Sequence, residues 1–433
     1  MPGASGTLLA LALGASVVEG AVGVDTEVAA GRAPVEINGP ERNSVSFTGT
    51  PAVGLRVTDE THTFTTTYAP RFYYRLPNVL DVNRPLVLHQ VDLSYENLID
   101  ISTQWITAAA LDIGELDYTS ASQIFDPQTS GLQQDVEQIA RVSGDSTLRV
   151  TTSRRSTWQL SLQGEYTTPI NTDDDQPAPT EPVNPDLPTV VPPAAATTTI
   201  LKSASGTVRP HYRHVVSRRD FITSELRLSY QWFSNGGEFI VVSPQLGWER
   251  RLSYRSTLVT SAGPLYVVVL GAAPGADDDN FIGGSGLVEL RSTLSRGDGH
   301  TLTGALSGNV DWFFDPLAGT SDPRATAQVS AVAQFGRKWT LSPVVSFSTL
   351  LREESGGAAA IARTDASVLR ADLPVRYEIS DNLRFNFGLR SSFRGGRLGT
   401  DEFSLTETYE AWAYVGLALA FGTSGERTTW IGF

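Results

Sequence analysis

The sequence predicts an all-β protein, a transmembrane antiparallel up-and-down β-barrel of about sixteen strands, give or take about two. Three observations predict it. Apolar and polar residues alternate with a period of two from about Val45 to Phe421, and alternate side chains of a strand point to opposite faces. The alternating stretches run for roughly 12–20 residues, well past the usual strand of about 5–6. The connections between them alternate tight and long, as in a barrel with lipid outside and a polar interior. Gly299–Phe314 carries the pattern most clearly. Leu302, Gly304, Leu306, Gly308, Val310, Trp312 and Phe314 fall on one face, and Thr301, Thr303, Ala305, Ser307, Asn309 and Asp311 on the other.

The first predicted strand, Val45–Thr58, sets Val45, Phe47, Val53, Leu55 and Val57 against Ser46, Thr48, Thr50 and Arg56. His62–Leu76 sets Phe64, Tyr68, Phe72, Tyr74 and Leu76 against Thr63, Thr65, Thr67, Arg71 and Arg75. Leu86–Tyr95 and Ile101–Tyr118 follow. Thr119–Asp145 reads as a break, with room for a short helix at Gly131–Val142. A strand returns at Leu148–Thr168, where Trp158, Leu160, Leu162 and Tyr166 alternate with Gln159, Ser161, Gln163 and Glu165. Ile170–Pro193 holds Asp173–Asp175, Pro177, Pro179 and Pro182. Proline cannot donate to a ladder, so a long loop is expected over 170–199. A domain linker competes less well, because strands of the same type resume beyond it.

After Leu201, strands are predicted near 201–216, 220–233, 237–255, 257–271, 282–296, 299–315, 322–336, 338–353, 363–380, 381–395 and 405–421. The turns at Arg296–Gly299, Gly336–Lys338 and Ser380–Asn382 are tight. Those at Gly271–Asn280, Asp315–Asp322, Glu353–Arg363 and Gly395–Phe403 are longer and rich in Gly and Asp.

Composition agrees. The chain has 433 residues, of which 40% are hydrophobic, and its mean hydropathy is -0.11. It has no run of ~18 apolar residues and hence no transmembrane helix, but barrels hide their apolar residues in alternation. The absence of cysteine excludes disulfides and thiolate metal sites. A net charge of -14 argues against a nucleic-acid partner. Leu8–Val18, followed by Gly20, Ala21 and Gly23, reads as the apolar core and cleavage zone of a signal peptide over 1–23, although no Lys or Arg precedes it. Residues 24–44 then form a polar leader before a barrel over 45–421.

Near the end, Leu383, Phe385, Phe387, Leu389 and Phe393 face one way, and Arg384, Asn386, Arg390 and Arg394 the other. Ala413, Val415, Leu417, Leu419 and Phe421 form a stripe closing on an aromatic, and the chain ends Trp430-Ile431-Gly432-Phe433. This alternating C-terminal strand resembles the assembly signal of bacterial outer-membrane β-barrels of the porin-like kind. The good stripe stops at Phe421, so 422–433 is a tail or a short added strand. The resemblance implies a place in the cell outer membrane, contact with its lipid and lipopolysaccharide, and insertion by the barrel-assembly machinery. It also implies passive passage or export of polar solutes. Some such barrels serve exopolysaccharide export, with a periplasmic partner docked on the inner rim. Thr119–Asp145, predicted on that rim and long for a periplasmic turn, is the candidate docking element.

The polar faces carry the functional residues. The expected lumen lining is Arg71, Arg75, Arg209, Arg213, Arg227, Arg251, Arg291, Asp311, Arg370, Asp372, Arg376, Glu378, Arg384, Arg390 and Arg394, together with Glu225, Glu249 and Glu289. An Arg or Lys at the lipid midplane costs ~2–4 kcal/mol, so the parity of the arginines decides which face is inside. Barrels of roughly 16–18 strands leave an aqueous channel. Arginine forks bind carboxylate and phosphate, which permits an anionic solute. The only lysines are Lys202 and Lys338. No cofactor, metal site or catalytic group is expected. His211 and His214 sit three apart, so on a strand they face opposite ways and cannot share a metal. Asp173–Asp175 and Asp277–Asp279 read as solvated outer loops. Gly283–Gly286 reads as a loop, and no serine-hydrolase motif is present. A closed structural or adhesive barrel is the alternative, followed by an envelope enzyme using His89 or His300.

Overall fold

The computed structural model describes residues 16–34, 41–77, 84–117, 136–170, 201–272, 280–296, 299–315, 320–351, 367–395 and 408–422. They form one antiparallel sheet of eighteen strands closed on itself. The first quarter contains β1 (Val17–Pro34), β2 (Glu41–Thr58), β3 (His62–Tyr68 continued by Arg71–Leu76), β4 (Leu86–Asp100) and β5 (Thr103–Asp117). Next come β6 (Val136–Ser153), β7 (Ser156–Pro169), β8 (Ser203–Val215), β9 (Asp220–Phe233) and β10 (Glu238–Arg251). Then follow β11 (Ser256–Gly271), β12 (Phe281–Arg296), β13 (His300–Asp315) and β14 (Thr320–Phe335). The last are β15 (Trp339–Leu341 continued by Val344–Leu350), β16 (Ser367–Glu378), β17 (Leu383–Gly395) and β18 (Thr408–Gly422). Each strand pairs with its sequence neighbours, and β1 also pairs with β18, from Ala21↔Gly422 to Arg32↔Ala411.

Two strands are interrupted, and proline explains both. Pro70 and Pro343 lack the N–H that a ladder needs. Pairing continues on both sides: Ala69 N–H donates to the Gln90 carbonyl at 2.9 Å, and Ser342 N–H to the Pro374 carbonyl at 3.0 Å.

The faces follow the alternation. Outward side chains include Val22 (54% exposed), Leu306 (54%) and Leu389 (58%); these would be costly in water and are at home in hydrocarbon. Among the described residues, charges on this face stand only near strand ends, as at Arg32, Glu115, Asp220, Glu238 and Arg250. Aromatic pairs ring the tight-turn end: Tyr95–Trp105 at 5.7 Å, Trp158–Tyr212 at 4.5 Å and Trp339–Tyr377 at 4.5 Å between centroids. Such belts sit at the headgroup level of a bilayer.

The connections sort by end. Those at 59–61, 101–102, 154–155, 216–219, 252–255, 297–299, 336–338 and 379–382 are tight and share one rim with the outer ends of β1 and β18. Gly336, at φ 64°, supplies a left-handed turn conformation there. All the long connections leave the opposite rim. Short turns are periplasmic and long loops external in barrels of this kind.

Several expectations are corrected. The count is eighteen rather than sixteen, because two strands go unrecognised in the sequence. Residues 24–34 are no leader; they belong to β1, which pairs with β2 from Val17↔Thr58 to Pro34↔Glu41. Its apolar start imitates a signal core, which hides its period-two pattern. Of the expected signal segment, 17–23 lies in β1, and 1–15 lies outside the described residues. The single strand expected at Leu148–Thr168 is a hairpin, β6–β7, turning at Arg154-Arg155. Its outward positions Gln138, Ala140, Gly144 and Ser146 are small or polar, so alternation is faint there. The helix considered at Gly131–Val142 gives way to this strand from Val136 onward.

The extra strand also moves the 118–135 connection, which leaves Asp117 and returns at Val136, to the long-loop rim. The docking element expected on the inner rim at Thr119–Asp145 therefore has its connection on the opposite rim. Gly283–Gly286 is strand, paired with Ala262–Leu265. Trp312 leaves the apolar outer face: it is 8% exposed and packs on Phe281 with centroids 4.9 Å apart. The loop over 171–199, both Asp triplets and the tail 423–433 lie outside the described residues.

A charge at mid-height distinguishes the faces. Leu306→Arg should destabilise the lipid-embedded barrel by ~2–4 kcal/mol in denaturant titrations, whereas Ser307→Arg, one residue on and inward, should cost roughly a quarter of that or less. Removal of residues 17–34 should abolish the heat-modifiable barrel band in gels, because β2 and β18 then both present open edges.

Candidate functional site

The inward face of the barrel is the site, and its charges fall in three arcs. From β8 to β14 the arginines pair with carboxylates on the same strand, on nearby strands or, for Arg227, four strands away. Arg209 lies 3.3 Å from Glu225, and Arg213 donates from Nε and Nη2 to both oxygens of Glu249 at 3.0–3.1 Å. Arg227 grips Asp311 and Arg291 grips Glu289 by forked bonds. Arg251 and Arg213 both lie over the Phe221 ring, at 5.0 and 3.8 Å from its centroid. Pairs this exposed are worth about 0–1 kcal/mol each. Their main effect is to neutralise this part of the wall.

A second arc, β4 to β7, is acidic and hydroxyl-rich. Asp92, Asp145 and Glu165, with Thr65, Thr67, Ser94, Ser143, Ser205 and Thr207, line a recess of about 570 Å³ against the wall. Arg141 crosses it to Glu165 at 2.8 Å.

The third arc, formed by β16 to β18, β1 and β3, holds most of the remaining arginines. Arg390 reaches Glu27 across β18 at 3.5 Å and lies 4.8 Å from the Tyr414 ring. Tyr414 Oη donates to Asp372 at 3.3 Å. Arg75 is buried at 4% exposure, donates to Ser44 Oγ at 3.3 Å, and stacks over Trp412 at 5.5 Å. Arg71, Arg370, Arg376 and Arg394 stand on the same inward parity, and Arg384 faces Glu378 across the β16–β17 register. All the arginines and carboxylates expected to line the lumen therefore alternate opposite the exposed aliphatic face.

Some inward residues escaped sequence reasoning. Asp25 and Glu27 lie in the stretch expected as a leader. Arg141 and Asp145 lie in the stretch expected as a break. Arg324, Glu410, Trp412 and Tyr414 have the right parity, and applying it to every strand would have found them. One inner patch runs against type. Phe233, Phe239, Val241, Leu265, Val267 and Trp312 form a buried apolar cluster on β9 to β13, near the long-loop rim. The histidines separate. His62, His89 and His214 face outward, each with Nδ1 near a tyrosine hydroxyl, at 2.8, 2.8 and 3.3 Å. His300 packs edge-on to Phe335, and His211 faces the lumen. Among the described residues, no three His, Asp or Glu side chains converge on a metal-sized site.

No protein-family model and no curated protein matches the sequence. Solved structures similar in shape include the outer membrane protein opdK from Pseudomonas aeruginosa, with 11% identity and TM-score 0.45, covering 94% of this chain and 99% of that one. OccK9 (OpdG) from Pseudomonas aeruginosa gives 11% identity and TM-score 0.43, covering 95% and 99%. The FrpB iron transporter from Neisseria meningitidis gives 8% and 0.47, covering 92% and 67%. The chain's own closure, uncharged outer waist and charged interior define it as an outer-membrane β-barrel, located in the outer membrane.

The forked Arg227–Asp311 pair offers a local check. A double-mutant cycle with Arg227→Gln and Asp311→Asn should return a coupling of about 1 kcal/mol or less in unfolding experiments, declining with salt.

Proposed function

We propose that this barrel is a passive channel for polar solutes and that it favours anions. The observation that carries the reading is the arc of Arg71, Arg75, Arg370, Arg376, Arg384, Arg390 and Arg394 on one side of the inner wall. Arginines of β8 to β14 add to the inner wall, each close to a carboxylate. A barrel of about 18 strands is too wide for side chains alone to fill. Its polar wall holds water, and a one-sided arginine field draws anions along it. The guanidinium fork matches carboxylate or phosphate groups on the solute.

Export with a periplasmic partner loses its sequence motive, because the 118–135 connection lies on the long-loop rim. A closed barrel has one observation on its side: an inner apolar cluster around Phe233 and Leu265 is buried beside β9 to β13.

Planar-bilayer recording tests the proposal. Reconstituted protein should give discrete conductance steps and, in a salt gradient, a reversal potential favouring anions. Arg376→Gln with Arg390→Gln should move selectivity toward cations. One charge beside the ion path is worth about 1 kcal/mol at contact in water, roughly fivefold. Absence of steps from correctly folded protein would leave the closed barrel as the reading.

A further inference from the structure

The tight-turn rim has a charge pattern that conduction does not require. From β6 to β15 its described turns are cationic: Arg154 and Arg155, Arg218 and Arg219, Arg255, and Arg337 with Lys338, all exposed. From β16 through the closure to β5 they are acidic: Asp381, Asp59, Glu60 and Asp100, also exposed. A cationic half-rim runs against a net charge of -14.

Turn geometry does not dictate the sign. In three cationic turns a serine Oγ accepts the backbone N–H two residues on: Ser153 from Arg155 at 3.2 Å, Ser217 from Arg219 at 3.1 Å, and Ser253 from Arg255 at 3.0 Å. In two acidic turns an aspartate does the same: Asp59 from Thr61 at 2.8 Å and Asp100 from Ser102 at 2.6 Å. Serine and aspartate are alternative solutions to one turn. The N–H groups of Thr61 and His62 hold the Asp59 carboxyl below the usual carboxylate range, so it stays ionised. The arginine side chains close no turn, so folding of the hairpins leaves them unexplained.

Their surroundings point to lipid. The Arg250 guanidinium lies 5.6 Å from the Trp248 ring, that of Arg255 4.8 Å from Tyr254, and the Lys338 ammonium 5.9 Å from Tyr377. Trp248 and Tyr377 face outward, so Arg250 and Lys338 sit on the perimeter of the barrel rather than over its mouth. Tyr254 is 87% exposed at the tip of its turn. Aromatic rings with cations just beyond them belong at the headgroup level, where long basic side chains reach phosphate. We propose that the β6–β15 half of this rim collects anionic phospholipid headgroups in the periplasmic leaflet, and that the acidic half repels them. A soluble acidic partner is the competing occupant, and the outward, ring-backed cations disfavour it.

The test uses the full chain in phosphatidylcholine vesicles containing spin-labelled phosphatidylglycerol or, separately, spin-labelled phosphatidylcholine. The wild-type barrel should motionally restrict a larger fraction of the phosphatidylglycerol label. Each cation near an anionic surface changes local partition by roughly fivefold at most. A variant carrying Arg154→Gln, Arg155→Gln, Arg218→Gln and Arg219→Gln should therefore lose most of the preference, as should wild type in ~1 M salt. Retention of the heat-modifiable band shows that the variant is folded. If it fails to assemble, Arg337→Gln with Lys338→Gln gives the same readout at a separate turn and should lower the preference in part. Equal restriction of the two labels by wild type, or an unchanged preference in folded variants, overturns the proposal. So does binding of soluble polyglutamate to the embedded barrel without any lipid preference, which would assign the rim to an acidic protein. The readout is independent of conductance, so the channel reading stands or fails separately.

Discussion

An open β-sheet cannot sit in hydrocarbon. Each unpaired N–H or C=O on its edge would lack any partner there, at several kcal/mol apiece. The pairing of β1 with β18 removes the last two edges, and the rest of the molecule depends on it. Twelve successive register pairs, Ala21↔Gly422 to Arg32↔Ala411, make the seam as continuous as any other junction in the sheet. Once the sheet is closed, every strand has one face toward lipid and one toward the lumen. The period-two pattern then becomes a partition of chemistry rather than a local habit.

The lumen is not a uniform polar surface. Its arginines along β8 to β14 meet carboxylates on the same strand, on nearby strands or, for Arg227, four strands away, and those of β3 and β16 to β18 gather as an arc. Glu27 from β1 and Asp372 from β16 temper that arc through Arg390 and Tyr414. This arrangement depends on closure as well, because Glu27 meets Arg390 only across the seam strand. The same principle of local pairing against regional excess recurs at the tight-turn rim, where serine and aspartate close equivalent turns and leave the sign of the charge to vary around the ring.

Much of this was legible in the sequence. Gly299–Phe314, Trp158–Tyr166 and Leu383–Phe393 announce strands because large apolar residues alternate with polar ones, and that alternation alone predicts both the barrel and the inward parity of Arg209, Arg376 or Arg390. Val17–Pro34 is masked in the sequence because Val and Ala also make a signal core. Val136–Ser153 is faint in the sequence because glycine, alanine and serine on the lipid face barely differ in polarity from the residues opposite. Without the second of these strands, the long connection before it, 118–135, falls on the wrong rim, since each strand added to an up-and-down barrel exchanges the two rims.

Alternation by itself determined the class of fold, the inside and outside of nearly every strand, and the kind of solvent on each face, because side-chain direction in a strand is a matter of odd and even position. Only the tertiary structure decided the strand count, the seam, the rim to which each loop belongs, and which arginines are matched by carboxylates. Those depend on register between segments hundreds of residues apart, as with Arg390 and Glu27, and no local pattern carries that information.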